Sequence, residues 1–167
     1  EYPVGDVYIT PGGNNASCDY FKVEVNGTSA HVANPEKGKD ALVAAAHMVV
    51  SLQSIVSRMV SPLDSVIVGV GTLHSGNGYN VIADHAFFEG TIRCFDPTTR
   101  QMVQDKITSV VETIAGYFGC NASVTITNYA NPLINTQDNC DQITPYAIAI
   151  VGSNHVRHDR PKSLAAD

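Results

Sequence analysis

The order strand, helix, strand, strand, helix, strand predicts an α+β fold: a ferredoxin-like βαββαβ sandwich with a four-stranded antiparallel-type sheet and two helices on one face. Three observations predict it. Short segments repeat apolar residues in period two, two longer segments repeat them at steps of three and four, and each longer segment follows an aspartate placed to cap a helix. The 167 residues suffice for one domain with an appended segment.

Residues 1–17 read as an extended lead-in that ends in the turn-forming stretch Pro11-Gly12-Gly13-Asn14-Asn15. In the first strand Phe21, Val23 and Val25 alternate with Tyr20, Lys22 and Glu24, and Asn26-Gly27 closes it. A polar loop follows through His31 and Pro35 to Asp40, whose carboxylate can accept from the first free amides of a helix. Leu42, Ala45, Val49, Leu52, Val56 and Met59 mark that helix's expected buried stripe, opposite His47, Ser51, Ser54 and Arg58; Ser61-Pro62 ends it. Residues 65–72 form the second strand, short, apolar and uncharged, and a glycine-rich run over 69–78 leads to Asn80. Residues 84–95 form the third, with Ala86, Phe88, Gly90, Ile92 and Cys94 on one face and Glu89, Thr91 and Arg93 on the other. Asp96-Pro97 starts the second helix, Val103, Ile107, Val110, Ile114 and Phe118 give its stripe, and Gly119 ends it. Residues 122–127 are the fourth strand. Beyond 128 the pattern breaks: Asn131-Pro132 reads as a boundary, residues 145–152 as a short helix, and the chain as a piece of something larger.

The formal net charge is −6, which argues against non-specific binding of nucleic acid, where Lys and Arg must neutralise phosphates. No run of about 18 apolar residues suggests a membrane span. The start shows no signal-like segment, and Cys18, Cys94, Cys120 and Cys140 form no CxxC pair, so buried reduced thiols and a cytoplasmic location are expected. Sequons at Asn15, Asn26 and Asn121 read as turn chemistry.

No HExxH, nucleophile elbow or phosphate loop is present. Gly69-Val70-Gly71 begins like a dinucleotide fingerprint, but His74 takes the third glycine's place and no helix follows. His155 and His158 lack a third ligand nearby and read as surface histidines. Three positions remain. His31 follows small residues in its loop, so it can approach another surface and donate to a developing oxyanion, or it is a solvated loop histidine. Asn80 closes the glycine-rich connection as a hydrogen-bonding side chain or a turn residue. Arg93, on the sheet face without helices, suits bidentate recognition of a carboxylate, or pairs with Glu89 or Asp96.

Those three segments carry a resemblance. Residues 27–40, the junction Ser57-Arg58-Met59-Val60-Ser61-Pro62, the segment Asn80-Val81-Ile82-Ala83-Asp84 and the run Glu89-Gly90-Thr91-Ile92-Arg93 with Phe95-Asp96 are similar, in order, to the lid or dimerisation domain of the two-metal aminoacylase and carboxypeptidase family. The nearest branch is that of the N-acyl amino acid amidohydrolases, such as hippurate hydrolase and the auxin–amino acid conjugate hydrolases. The likeness runs from about residue 2 to 128, and residues 163–167 loosely resemble the approach to a later catalytic segment. Ala30, Ala41 and Ala83 depart from the branch's usual glycine and prolines, and Glu36 replaces a second histidine, which bears on substrate preference.

The resemblance implies that residues 1–16 lead in from a catalytic domain, 17–128 form the lid, and 129–167 are linker and partial return. It implies hydrolysis of the amide bond of N-acyl amino acids or small peptides by a homodimer, with two divalent metals (zinc or manganese) that polarise the carbonyl and are bound outside this chain. His31 would stabilise the oxyanion at a partner subunit's site, Arg93 would bind the substrate α-carboxylate, and Asn80 would hydrogen-bond near that group. Residues 65–72 are the expected edge for pairing into an eight-stranded sheet. The rival reading is a stand-alone ferredoxin-like ligand-binding or regulatory module. An RNA-binding sheet is opposed by the acidic balance and the missing aromatic pattern.

Overall fold

The computed structural model describes residues 3–164. Two short strands, β1 (Val7–Tyr8) and β2 (Gly12–Asn15), lead into β3 (Cys18–Asn26) and the two-residue β4 (Ala30–His31). Helix α1 (Ala41–Ser54) follows, then β5 (Val66–Ser75), β6 (Val81–Ile82), β7 (His85–Cys94), helix α2 (Pro97–Phe118) and β8 (Asn121–Ala130). The chain continues through β9 (Leu133–Asn135), helix α3 (Gln137–Val151) and β10 (Val156–Arg157). The main sheet is antiparallel with strand order β5-β7-β3-β8, as the ferredoxin-like reading requires.

Alternation sets the layers. Phe21, Val23 and Val25 of β3 and Ala86, Phe88, Ile92 and Cys94 of β7 are fully buried beneath α1 and α2. Phe21 and Phe88 meet edge to face, with centroids 6.5 Å apart. Gly90 makes room for that pair, since a Cβ there would lie 2.4 Å from the Phe21 ring and 2.3 Å from the Gly69 carbonyl oxygen. Both helix starts are capped as expected: Asp40 accepts from the Val43 N–H at 3.1 Å and Asp96 from the Thr99 N–H at 2.7 Å. Gly119 closes α2 in the left-handed region at φ 66°.

Several boundaries and faces differ from expectation. In α1 the fully buried residues are Ala41, Ala44, Ala45, Met48 and Leu52, joined by Ile55 in the π-helical turn Ile55–Met59, whereas Leu42, Val56 and Met59 are exposed. The helix is apolar almost all round, so periodicity alone could not choose its inner face. Ala41–Met59 is long and apolar enough to cross a bilayer by length and composition; six of its side chains are instead sealed against the sheet. In α2, Val103 and Ile107 are fully buried as expected, but Val111 and Ala115 lie deeper than Val110, Ile114 and Phe118.

The glycine-rich run is half strand, because β5 continues to Ser75 over a bulge between Val70 and Thr72. The expected turn at residues 11–15 is largely strand β2, paired antiparallel with β9. The expected short helix at 145–152 is the longer α3, which begins at Gln137 behind a Thr136 cap and carries Pro145 inside it. Lead-in and tail therefore pack together: β1 runs parallel to β10, and Ile9, Cys140, Ala147 and Val156 form a second apolar cluster.

All four cysteines are free; Cys94, Cys120 and Cys140 are buried and Cys18 is half-buried. Burial pushes the Cys94 thiol up to about 11. His155 contacts the Asp6 carboxylate at 2.9 Å, and His158 Nδ1 lies 2.7 Å from the Ile9 carbonyl oxygen, so the two face different partners.

Candidate functional site

His31 stands on a loop that is closed at its base. Thr28 and Lys39 exchange two backbone hydrogen bonds of 2.9 Å each, and Gly27 permits this, since a Cβ there would sit 2.0 Å from the Lys39 carbonyl oxygen. Inside the loop, Ala30 and His31 are not free polar chain, as the sequence suggested, but pair with Ile82 and Val81 across β4 and β6. The Asn34 N–H donates to the His31 carbonyl at 2.8 Å, and residues Pro35–Lys37 make a short 3₁₀ turn that leaves Glu36 exposed.

The imidazole itself is exposed, and its Nδ1 accepts from the Ala33 N–H at 3.1 Å. In the neutral ring the proton is then on Nε2, so a backbone hydrogen bond fixes an outward-facing donor. Asn80 is joined to the same loop: its carbonyl accepts from the Val32 N–H at 3.1 Å. The structure thus brings His31 and Asn80 together on two tethered loops.

Arg93 is elsewhere. It sits near the far end of β7, opposite Ile67 of β5, while the start of β7 pairs His85 with Asn26 beside the His31 loop. Eight residues of strand separate Arg93 from that start, about 27 Å at ~3.4 Å per residue. Its Nη1 is buried and has no hydrogen-bond partner among the described residues. Neither carboxylate considered for it is bonded to it: Glu89 accepts from Tyr20 at 2.6 Å and Thr72 at 3.3 Å, and Asp96 caps α2. The Glu89 carboxylate in turn pushes the Tyr20 phenol up to about 12.

Sequence reasoning missed a polar network beside this end of the sheet. Ser17 Oγ donates to Asp19 at 3.1 Å and accepts from the Cys94 N–H at 3.1 Å, and Asp19 is paired with Arg100 of α2. Arg100 falls on the inner face of α2 among aliphatic residues, the one available sequence signal. No group of three or more His, Cys, Asp or Glu side chains converges as a metal site among the described residues, so they do not fit a metal centre. A cavity of about 600 Å³ lies between β1 and α3, lined by Tyr8, Ile9, Cys140, Ile143 and Tyr146 among others, and includes none of His31, Asn80 and Arg93.

Comparisons agree with this architecture. The chain is 40% identical over 134 residues to the N-acetyl-L-cysteine deacetylase of Bacillus subtilis, covering 80% of this chain and 32% of that protein. It is 40% identical over 124 residues to the N-acetyldiaminopimelate deacetylase of Brevibacillus brevis, covering 74% and 33%. The chain spans about a third of the length of these curated relatives. A solved Bacillus subtilis structure, described as a dinuclear metal-binding peptidase, superposes with a TM-score of 0.77 at 24% identity, covering 99% of this chain and 40% of that one, and so shares the fold. Residues 17–117 match the model described as the peptidase dimerisation domain. With β3, β5 and β7 of the sheet, helix α1 and all but the last residue of α2 inside that match, which takes in more than half of the chain, the chain belongs to the peptidase dimerisation domain family.

Proposed function

We propose that this chain is the lid and dimerisation part of a metal-dependent amidohydrolase that cleaves the amide bond of N-acyl amino acids or small peptides. The observation that carries the reading is the imidazole of His31, exposed and held with Nε2–H outward by the Ala33 amide. A donor fixed in this way can stabilise the tetrahedral oxyanion without reorganising during the reaction. The deacetylase names of relatives that are 40% identical support the substrate class.

Arg93 binds the substrate α-carboxylate, with the unpartnered Nη1 available to donate. Asn80, tied to the His31 loop, hydrogen-bonds near the same group. A small substrate cannot span the ~27 Å of β7 between Arg93 and that loop. A complete site therefore takes Arg93 from one copy and His31 with Asn80 from another. The edge strand β5 and helix α1 supply the surface for this homodimer, with Leu42, Val50, Met59, Ile67 and Leu73 exposed along it. Two-fold pairing of β5 gives an eight-stranded sheet. The divalent metals, zinc or manganese, are held by residues outside this chain, and the location is cytoplasmic.

The test is His31→Ala in the full-length protein. Turnover of N-acyl amino acids should fall by ~10²–10³, the usual cost of one oxyanion donor, with bound metal unchanged. Wild-type turnover by that variant overturns the assignment.

A further inference from the structure

The β5–β6 loop carries chemistry that the hydrolytic reading does not use. The chain has two Asn-Gly steps, Asn26-Gly27 and Asn77-Gly78. In such a step the backbone nitrogen of the glycine can attack the asparagine side-chain carbonyl carbon, because glycine offers neither a side chain nor a stiff backbone to oppose the approach. The two steps here are held very differently.

Asn26 ends β3 and is paired on both sides, with His85 of β7 and Asn121 of β8. The Gly27 N–H donates to the Asp84 carbonyl at 2.8 Å, and Gly27 itself is pressed against the Lys39 carbonyl. The nucleophilic nitrogen is engaged, and the backbone cannot turn without opening the sheet. Asn77 lies in an exposed bend between Gly76 and Gly78, outside every strand. Gly76 holds a positive φ of 85°, and no hydrogen bond from the Gly78 N–H occurs among the described residues. Tyr79 next to Gly78 is fully exposed, and the bond that holds Gly78 is made by its carbonyl, which accepts from the Val81 N–H at 3.2 Å and leaves the nitrogen unengaged.

We infer that Asn77 is a spontaneous modification site, converted to aspartate and isoaspartate through a succinimide, and that its conversion loosens the tether between Asn80 and the His31 loop. The Gly78 nitrogen bonds to the Asn77 Cγ and loses its proton, and the side-chain nitrogen leaves as ammonia. Water then opens the five-membered ring at either carbonyl. Opening at one restores the normal backbone with an aspartate side chain; opening at the other routes the backbone through an extra methylene. No oxidant or reductant is involved. Either product adds a negative charge, and the isoaspartate lengthens the chain three residues before Asn80, whose carbonyl receives the Val32 N–H.

The experiment is ageing of the purified protein in mildly alkaline buffer, followed by peptide mapping and isoaspartyl methyltransferase labelling. Modification should appear at Asn77 on the order of tenfold or more faster than at Asn26, because reaction at Asn26 must wait for the ladder to open. Gly78→Ala should slow it by a similar factor, since a β-carbon hinders the attack and narrows the backbone. That variant should fold normally: Gly78 has no positive φ, and a Cβ there meets Val81 and Asn80 only at 3.7 and 4.0 Å. Amide exchange at Val32 should rise in aged wild-type protein and stay unchanged in aged Gly78→Ala. Equal rates at Asn77 and Asn26, or unaltered modification in Gly78→Ala, overturns the site. Unchanged exchange at Val32 in fully modified protein overturns the coupling.

Discussion

Asp19 and Arg100 form an ion pair shielded from water: Asp19 is fully buried on β3 and Arg100 is 8% exposed on α2. Arg100 Nε donates to one carboxylate oxygen at 2.9 Å and Nη2 to the other, while Nη1 donates to the Asn131 side chain at 2.7 Å. One side chain thus holds the second helix to the first strand of the lid and to the residue that follows its last strand.

Removing one partner should cost far more than removing both. Arg100→Met leaves a carboxylate buried without its counter-charge, and a loss of about 3–5 kcal/mol is expected in urea unfolding. The double variant Asp19→Leu/Arg100→Met should recover most of that loss. If the double variant proves as unstable as the single one, the pair is not what sets the penalty.

Arg93 should behave in the opposite way. Its Nη1 has no hydrogen-bond partner among the described residues, so Arg93→Ala should leave the thermal midpoint unchanged. In the full-length protein, KM for substrates bearing a free α-carboxylate should rise about tenfold to a hundredfold, the range for a lost hydrogen bond to a charged group. Substrates with that group amidated should lose little. An equal loss on both would show that Arg93 serves the fold.

Asp6 gives a dependence on acid. The hydrogen bonds from His155 and Arg157 hold its carboxyl below the ordinary value of 3.8. A group with a lowered folded value binds fewer protons in the folded state, so its contribution is present above the ordinary value and disappears as pH falls through the folded one. Protection of the Ile9 amide, which donates to the Arg157 carbonyl at 2.8 Å, should therefore fall in acid in the wild type. Asp6→Asn should show weaker protection throughout and no acid step. Matching profiles in the two proteins would remove Asp6 from the account.

What was legible in the sequence was local. Asp40 and Asp96 announce their helices within four residues, and Phe21, Val23 and Val25 state their face by alternation alone. The inner face of α1 was not legible, because alanine, valine and leucine surround the helix and only the sheet decides which side is covered. Strand β2 was missed because its partner lies some hundred and twenty residues later, and nothing in Gly12-Gly13-Asn14-Asn15 points to it. The candidate site divides in the same way. His31, Asn80 and Arg93 could be singled out from their neighbours in the chain, but the bond from Ala33 that orients the imidazole, and the length of β7 that parts Arg93 from the other two, belong to three dimensions. The Asp19–Arg100 pair, 81 residues apart, left only a charged residue on an apolar helix face as its trace.

Cys18 and Ala130 are partners across β3 and β8, so the polypeptide enters and leaves the four-stranded layer at abutting points, about 5 Å apart. A module with its two doors side by side can be spliced into a host through a surface bend without parting the host's own strands, and can be lifted out as cleanly. Replacing everything between those doors with a short turn is then a feasible piece of protein surgery, and it would yield a host stripped of its cover in a single cut.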